Sequence, residues 1–312
     1  MERVTGSSPR HHADRCPGVL RPWIADDGAL VRIRLIGGAI SAQALSDLAV
    51  IAGDHADGHL YLTKRANIQL RGIKHVDGCV PETFVDAITA AGLLPSSTHE
   101  LVRNIMVSPL SGRIGGQADL RPVATRLDEQ LCDDPVFANL AGRFLFVLDD
   151  GRGDLVDRSL DLGVMAVDAG AAQIRVGSQH WGQVVELDAV PEVLLDLARR
   201  FLEVRGEGDD ALWHVDELPD GGADLLGLNH ARDLRTQVAS LPAPFGVIAQ
   251  DDGLSVEHVA VPEGDLTHEL AVQLLARAGR DVIVTPWRSL MLPDLDGDAG
   301  PPAAHEPEDA DA

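Results

Sequence analysis

The sequence predicts a mixed α/β (α+β) chain in which two duplicated half-domains pair about a pseudo-twofold axis and flank a central α/β domain. Three observations carry that expectation. Residues 30–63 alternate between the two hydrophobic periods: Leu30–Leu35 changes side at every residue, Ser41–Ala52 repeats its apolar positions at helical spacing, and His59–Thr63 returns to the strand pattern. The same order of acidic-glycine turn, glycine, helix and strand ending in threonine returns after roughly 220 residues, too long a period for a solenoid. The chain's 312 residues, 45% apolar and only 4% aromatic, are enough for more than one aliphatic core.

Residues 1–14 are polar, with Gly6-Ser7-Ser8-Pro9 and the pair His11-His12, and read as a disordered arm whose histidines are solvated. The first unit, 15–120, opens with the strand Leu30–Leu35 after the turn Asp26-Asp27-Gly28; period two puts Arg32 and Arg34 on one face of it. Ser41 is placed to N-cap the helix to Ala52, and Pro81–Ala91 forms a second helix stopped by Gly92. Arg103 and Asn104 follow in a connection beside the sheet, where binding residues tend to sit.

The central domain, 121–243, is read from the strand Phe144–Leu148 with its acidic glycine turn Asp149–Asp154. Strands near Val164–Val167 and Gln173–Val176 and a helix from Val190 to Val204 complete it. Cys132 falls in an acidic stretch read as a loop. In the second copy, 244–293, Asp252-Gly253-Leu254 echoes Asp27-Gly28-Ala29, Gly264 echoes Gly38, Leu266–Ala278 echoes the first helix, and Val282–Thr285 echoes Leu60–Thr63. The copies are expected to lie side by side in one sheet, with Thr63 and Thr285 at matching strand ends. Residues 294–312, rich in Asp, Pro, Ala and Glu, read as a disordered acidic tail.

A formal charge of −23 argues against a nucleic-acid partner, which needs a basic surface to neutralise phosphates. The charge is uneven. From Arg32 to Arg121 nine basic side chains stand against eight acidic ones, whereas Asp294–Ala312 holds seven acids and no base. Lys64 and Lys74 are the only lysines, so the positive charge is almost all guanidinium, which grips carboxylates in two-point fashion. Neither an apolar run long enough to cross a membrane nor a signal-peptide pattern is present, so the expected compartment is the cytoplasm, with no membrane partner. Cys16, Cys79 and Cys132 are too widely spaced for a disulfide framework or a zinc site, and no metal ligand set is nominated.

Tyr61–Ile73 sets Thr63, Lys64, Arg65, Asn67, Gln69 and Arg71 between apolar residues, a donor-rich strand, turn and strand. Thr63, Arg65 and Gln69, then Arg103-Asn104, then Arg32 ahead of Gly37-Gly38, resemble the T-x-R-x-x-x-Q element, R-N pair and arginine strand of the nitrite and sulfite reductase family. Arg15-Cys16-Pro17-Gly18-Val19, the run Phe144–Gly153 and Thr285-Pro286-Trp287-Arg288 are similar to its precorrin-3B synthase branch. The resemblance implies ferredoxin-like half-domains and a tetrapyrrole, either a precorrin substrate or sirohaem. It implies a tetrapyrrole- or anion-binding set of Arg32, Arg34, Gly37, Gly38, Thr63, Arg65, Gln69, Arg103, Asn104 and Arg143, in which Arg32, Arg65, Arg103 and Arg143 converge; no catalytic residue is nominated. Where the family carries K-F-K, this chain reads Arg143-Phe144-Leu145, so the second basic position is apolar.

The implied activity is that of an oxidoreductase of cobalamin biosynthesis, an oxygen-dependent hydroxylation of a tetrapyrrole with lactone formation. A sirohaem-dependent nitrite or sulfite reductase and a non-catalytic tetrapyrrole-binding module are the alternatives. The family also holds a [4Fe-4S] cluster on C-x5-C and C-x3-C cysteines. None of the three cysteines here stands in that arrangement, so a separate polypeptide or electron donor supplying the cluster unit is the implied partner.

Overall fold

The computed structural model describes residues 16–228 and 230–296. The expected arm at 1–14, with its paired histidines, and residues 297–312 of the expected tail lie outside the described residues. The first unit runs β1 (Trp23–Ala25), β2 (Gly28–Ile33), β3 (Ala39–Ser41), α1 (Ala42–His55), β4 (Leu60–Leu62), β5 (Ile68–Ile73) and α2 (Glu82–Ala90). The central unit runs β6 (Ile105–Val107), α3 (Arg121–Asp133), β7 (Phe146–Asp149), β8 (Leu162–Ala166), β9 (Ala171–Val176), β10 (His180–Glu186), α4 (Val190–Val204) and the single turn α5 (Ala223–Leu226). The second copy runs β11 (Gly246–Ala249), β12 (Ser255–Val259), β13 (Asp265–Leu266), α6 (His268–Leu275), β14 (Asp281–Val284) and β15 (Leu290–Leu295). Among the described residues no helix is long and apolar enough to cross a membrane.

From the first strand to the last the two copies match element for element, and α2 follows only the first among the described residues. Each has an antiparallel pair, a glycine turn, a short strand, a helix and a second antiparallel pair. Ser41 Oγ accepts from Ala44 N at the start of α1, and Thr267 Oγ1 accepts from Leu270 N at the start of α6. Thr63 and Thr285 follow β4 and β14, and both bind the residue four further on through the backbone, at 2.9 Å in each copy.

The copies do not share one continuous sheet, as the sequence suggested, but exchange strands between two. One sheet has the order β1-β2-β5-β4-β13 and the other β11-β12-β15-β14-β3, so the short strand ahead of each copy's helix completes the other's sheet. The exchange brings α1 against α6 and merges the apolar faces into one core, running from Ile33, Leu45 and Ile68 to Leu266, Val282 and Leu290. Gly38 permits it. At φ +75° a Cβ on Gly38 would stand 2.1 Å from the carbonyl oxygen of Val284, the residue that ends β14.

In the central unit β6, β7 and β8 are parallel and β8, β9 and β10 antiparallel, in the order β10-β9-β8-β7-β6. The near-continuous apolar runs of β7 and β8 match strands covered on both faces. Helices α3 and α4 cover one face around Leu127, Phe144, Phe146 and Phe201, and Met106, Leu145, Val147, Leu155 and Leu160 close the other. Helix α3 went unread in the sequence, so Cys132 lies on a helix rather than in a loop. At the far end Asp294 and Leu295, read as the start of the acidic tail, instead close β15, with Asp294 held by Arg113 at 3.0 and 2.9 Å.

Gly206 also has a positive φ, +80°, but nothing stands within 4 Å of its missing Cβ. Gly206→Ala therefore isolates the backbone cost, about 1 kcal/mol, and Gly38→Ala should lose at least about 2 kcal/mol more through the clash. Urea denaturation of the two variants measures the difference; equal losses would mean that the strand exchange does not depend on this contact.

Candidate anion-binding face

The register of the first sheet sets Arg32 of β2 directly opposite Gln69 of β5. Gln69 Oε1 accepts from Arg32 Nη2 at 2.6 Å and Nε at 3.2 Å, so the amide fixes the direction of the guanidinium. The Thr63–Asn67 loop is tightened by Thr63 Oγ1, which accepts from Arg65 N at 3.3 Å and Asn67 N at 3.1 Å, with Ala66 between them at φ +55°. That turn throws Arg65 towards the central unit, where its Nη1 donates to the carbonyl of Arg143 at 2.7 Å. The Arg143 guanidinium in turn lies over the Trp213 ring, 5.7 Å from its centre.

Arg32, Arg65 and Arg143 thus lie within electrostatic reach of one another although 111 positions separate the first from the last. Burial is the main cause that holds the Arg65 guanidinium below its ordinary proton affinity, and the like charges of Arg32 and Arg143 push it the same way; Cys16 and Asp161 oppose them.

The remaining residues of the expected set face elsewhere. Arg34 is buried and donates to Asn104 Oδ1 at 3.0 Å and to the carbonyls of Pro17 at 3.0 Å and Gly142 at 3.3 Å, which ties β2 to the N-terminal segment and the central unit. Glu100 secures that segment by accepting from Val19 N and Leu20 N. Arg103 does not converge with the other three. Its Nε and Nη2 donate to Asp128 of α3 at 2.7 and 2.6 Å, a two-point pair whose arginine side chain is only 8% exposed. Gly37 and Gly38 form the turn between β2 and β3, and Gly37, Arg34 and Arg103 line a cavity of about 480 Å³ between the three units. Arg113 and Arg121 also line it, and like Arg103 each is matched two-point by a carboxylate, Asp294 and Asp119 respectively. The three gathered guanidiniums form a different face, beside a cleft of about 260 Å³ lined by Arg65, Leu145, Asp161 and His214. Leu145 is 5% exposed and packs with Met106, Val147 and Leu160, so its apolar character follows from its place in the core.

Two groupings of side chains emerge only in the structure, one of them within the acidic glycine turn already read after Leu148. Asp161 and His214 are 53 positions apart with no shared motif, yet Nδ1 of His214 stands 3.3 Å from both carboxylate oxygens of Asp161. The turn after β7 gathers Asp149, Asp150 and Asp154, with oxygens of all three within 4.8 Å of one another. Asp149 accepts from the backbone of Gly151, Gly153 and Leu155, and Arg152 pairs with Asp150 at 2.7 Å and stands 3.7 Å from Asp154. Arg152 supplies one positive charge against the three carboxyl groups.

Residues 25–77 match the nitrite/sulfite reductase ferredoxin-like half domain. The chain resembles the nitrite and sulfite reductases. It is 33% identical over 137 residues to a precorrin-3B synthase of Sinorhizobium sp, across 44% of this chain and 28% of that protein. It is 27% identical over 159 residues to a ferredoxin–nitrite reductase of Leptolyngbya laminosa, across 49% of this chain and 31% of that protein. The matches therefore span about a third or less of those relatives' own lengths. The solved structure of the Mycobacterium tuberculosis NirA protein superposes with a TM-score of 0.67 over 88% of this chain and 56% of NirA; at 20% identity it speaks for the fold alone. The ferredoxin-like reading of the duplicated units stands on this family and fold likeness, and the relatives named are oxidoreductases.

Burial, reinforced by the charge of Asp149, raises the Asp154 carboxyl from 3.8 to about 7, against the donated bond from Ser108 Oγ at 2.6 Å. The folded chain therefore holds this proton more tightly than the unfolded chain does. Asp154 contributes its full stability below the unfolded value and loses it as pH rises through about 7. Asp154→Asn has no charge to bury and keeps an acceptor for Ser108. Its stability relative to wild type should improve by about 2–3 kcal/mol between pH 5 and pH 8, and an unchanged difference in urea midpoints would refute the buried-charge account.

Proposed function

We propose that the chain holds a carboxylate-rich tetrapyrrole on the Arg32, Arg65 and Arg143 face, as the substrate-binding part of an oxidoreductase of the precorrin-3B synthase type. The observation that carries this is the gathering of three guanidiniums, from β2, the Thr63 loop and the approach to β7, in a chain of net charge −23. Guanidiniums brought together repel, so the arrangement favours an anion with several carboxylates spread around a rim. The Gln69 amide and the Arg143 carbonyl hold the guanidiniums of Arg32 and Arg65, which reduces the side-chain ordering that binding requires.

The donor set suits such a ligand, whether precorrin or sirohaem. When bound, the ring would supply the oxidisable carbon or the metal centre, and the chain's own residues anchor its carboxylates and orient it. A [4Fe-4S] cluster does not fit these residues. It needs four thiolates, and the three cysteines lie before β1, in the exposed turn at Val76–Cys79 and on α3. Electron transfer through such a cluster therefore calls for ligands beyond these residues, and the partner we propose is a polypeptide that supplies them. The cysteine count equally favours a second reading, a binding module that holds the ring without redox chemistry.

Titration of uroporphyrin III against wild type and Arg65→Ala tests the face. The substitution should cost about 1.5–3 kcal/mol, the range for hydrogen bonds to a charged group, and Arg65→Lys should recover part of it. Wild-type affinity should fall in 1 M salt, where the Debye length is about 3 Å. Equal affinities for all three proteins at both salt concentrations would discard the tetrapyrrole reading.

A further inference from the structure

We propose that His214, aimed by Asp161, is a proton-transfer group serving the ligand held on the arginine face; this rests on the reading of that face given above. Asp161 is 1% exposed, and its position is over-determined: its oxygens accept from Leu145 N and Val215 N, both at 2.8 Å, and its own N–H donates to the carbonyl of Leu145 at 3.0 Å. A carboxylate so held accepts the Nδ1–H of His214 and fixes the ring's tautomer, with the proton on Nδ1 and the lone pair on Nε2. His214 lines the 260 Å³ cleft, its side chain is 27% exposed, and its contacts with Asp161 run through Nδ1. Arg65, one of the three gathered guanidiniums, lines the same cleft. A carboxyl-bearing arm gripped by Arg65 therefore reaches Nε2 without leaving the cleft.

The charged groups around the ring agree with this role. Asp161 faces it from the segment before β8, Arg65 from the Thr63 loop, and Asp216 and Glu217 from its own segment. Arg143 stands behind it, stacked on neighbouring Trp213. Glu217 is engaged by the N–H groups of Trp213 and His214 at 2.7 and 3.3 Å, and Asp216 by Ser178 N at 2.7 Å, so neither competes for Nε2. In the step itself the Nε2 lone pair takes the proton of a hydroxyl O–H on the ligand, whose ionised carboxylate is held by Arg65. The O–H bonding pair stays on oxygen, an N–H bond forms, and the proton later passes to solvent water in the open cleft. Asp161 stabilises the imidazolium in between. No oxidant or reductant enters the step.

The test uses the full chain and uroporphyrin III as probe. Calorimetric titration in two buffers of different ionisation enthalpy, from about pH 5.5 to 8, counts the protons exchanged on binding. Wild type should exchange up to about one proton per ligand, and the signal should vanish in His214→Gln while binding survives. The ring nitrogens of His214, followed by nuclear magnetic resonance in 15N-labelled protein, should shift on ligand addition and should not shift in Arg65→Ala. If wild type and His214→Gln bind and exchange equal numbers of protons at every pH, the His214 inference fails and the arginine face stands. If wild type does not bind the probe, the reading of the face fails and this inference falls with it.

Discussion

The close approach of Gly38 to the carbonyl of Val284 is the contact on which the architecture turns. It lets β3 leave its own copy and pair with β14, while β13 pairs with β4 on the other side. Neither copy then closes a sheet by itself. Both hydrophobic faces are satisfied only jointly, which gives one core where two isolated half-domains would each have had a small and marginal one. The exchange also sets the direction in which the two threonine loops leave their sheets. Both reach the central unit: Arg65 donates to the carbonyl of Arg143, and Arg158 donates to the carbonyl of Pro286 at 3.2 Å.

Two populations of arginine result from that docking. Arg103, Arg113 and Arg121 each meet a carboxylate in a two-point pair, and with low exposure, as at Arg103 and Arg113, such a pair fastens one unit to another. On the other face the Gln69 amide accepts from Arg32, a backbone carbonyl accepts from Arg65 and the Trp213 ring carries Arg143. A neutral acceptor aligns a guanidinium without cancelling its charge.

The second threonine loop shows the same scaffold put to another use. Thr285, Trp287 and Ser289 repeat the backbone bonds of Thr63, Arg65 and Asn67, but a tryptophan stands where Arg65 does. His258, at the place of Arg32, is buried. Its Nδ1 donates to the carbonyl of Pro244 at 2.9 Å, so Nε2 accepts from Ser289 Oγ at 2.7 Å, and burial lowers its proton affinity. The first copy turns polar donors towards the central unit, and the second closes over a buried hydrogen-bonded chain.

By itself the sequence determined the local elements and their repetition. Period two in Leu30–Leu35, the Ser41 cap, the helix Val190–Val204 and the recurring glycine and threonine are written in neighbouring residues, because hydrophobic period and capping act over one or two turns of chain. The Tyr61–Ile73 element was legible for the same reason, and with it Arg65 and Gln69. Helix α3 was missed because its apolar positions, Val123, Leu127 and Leu131, are thinned by charged neighbours and acquire meaning only against α4. Tertiary structure alone decided the partners. It sent Arg103 to Asp128 and left Arg143 on Trp213, it joined His214 to Asp161 across 53 positions, and it split an expected single sheet into two that trade strands. The physical reason is common to all of these. Which charge meets which, and which strand edge finds which neighbour, depends on distances between segments remote in the chain, and no local period encodes them.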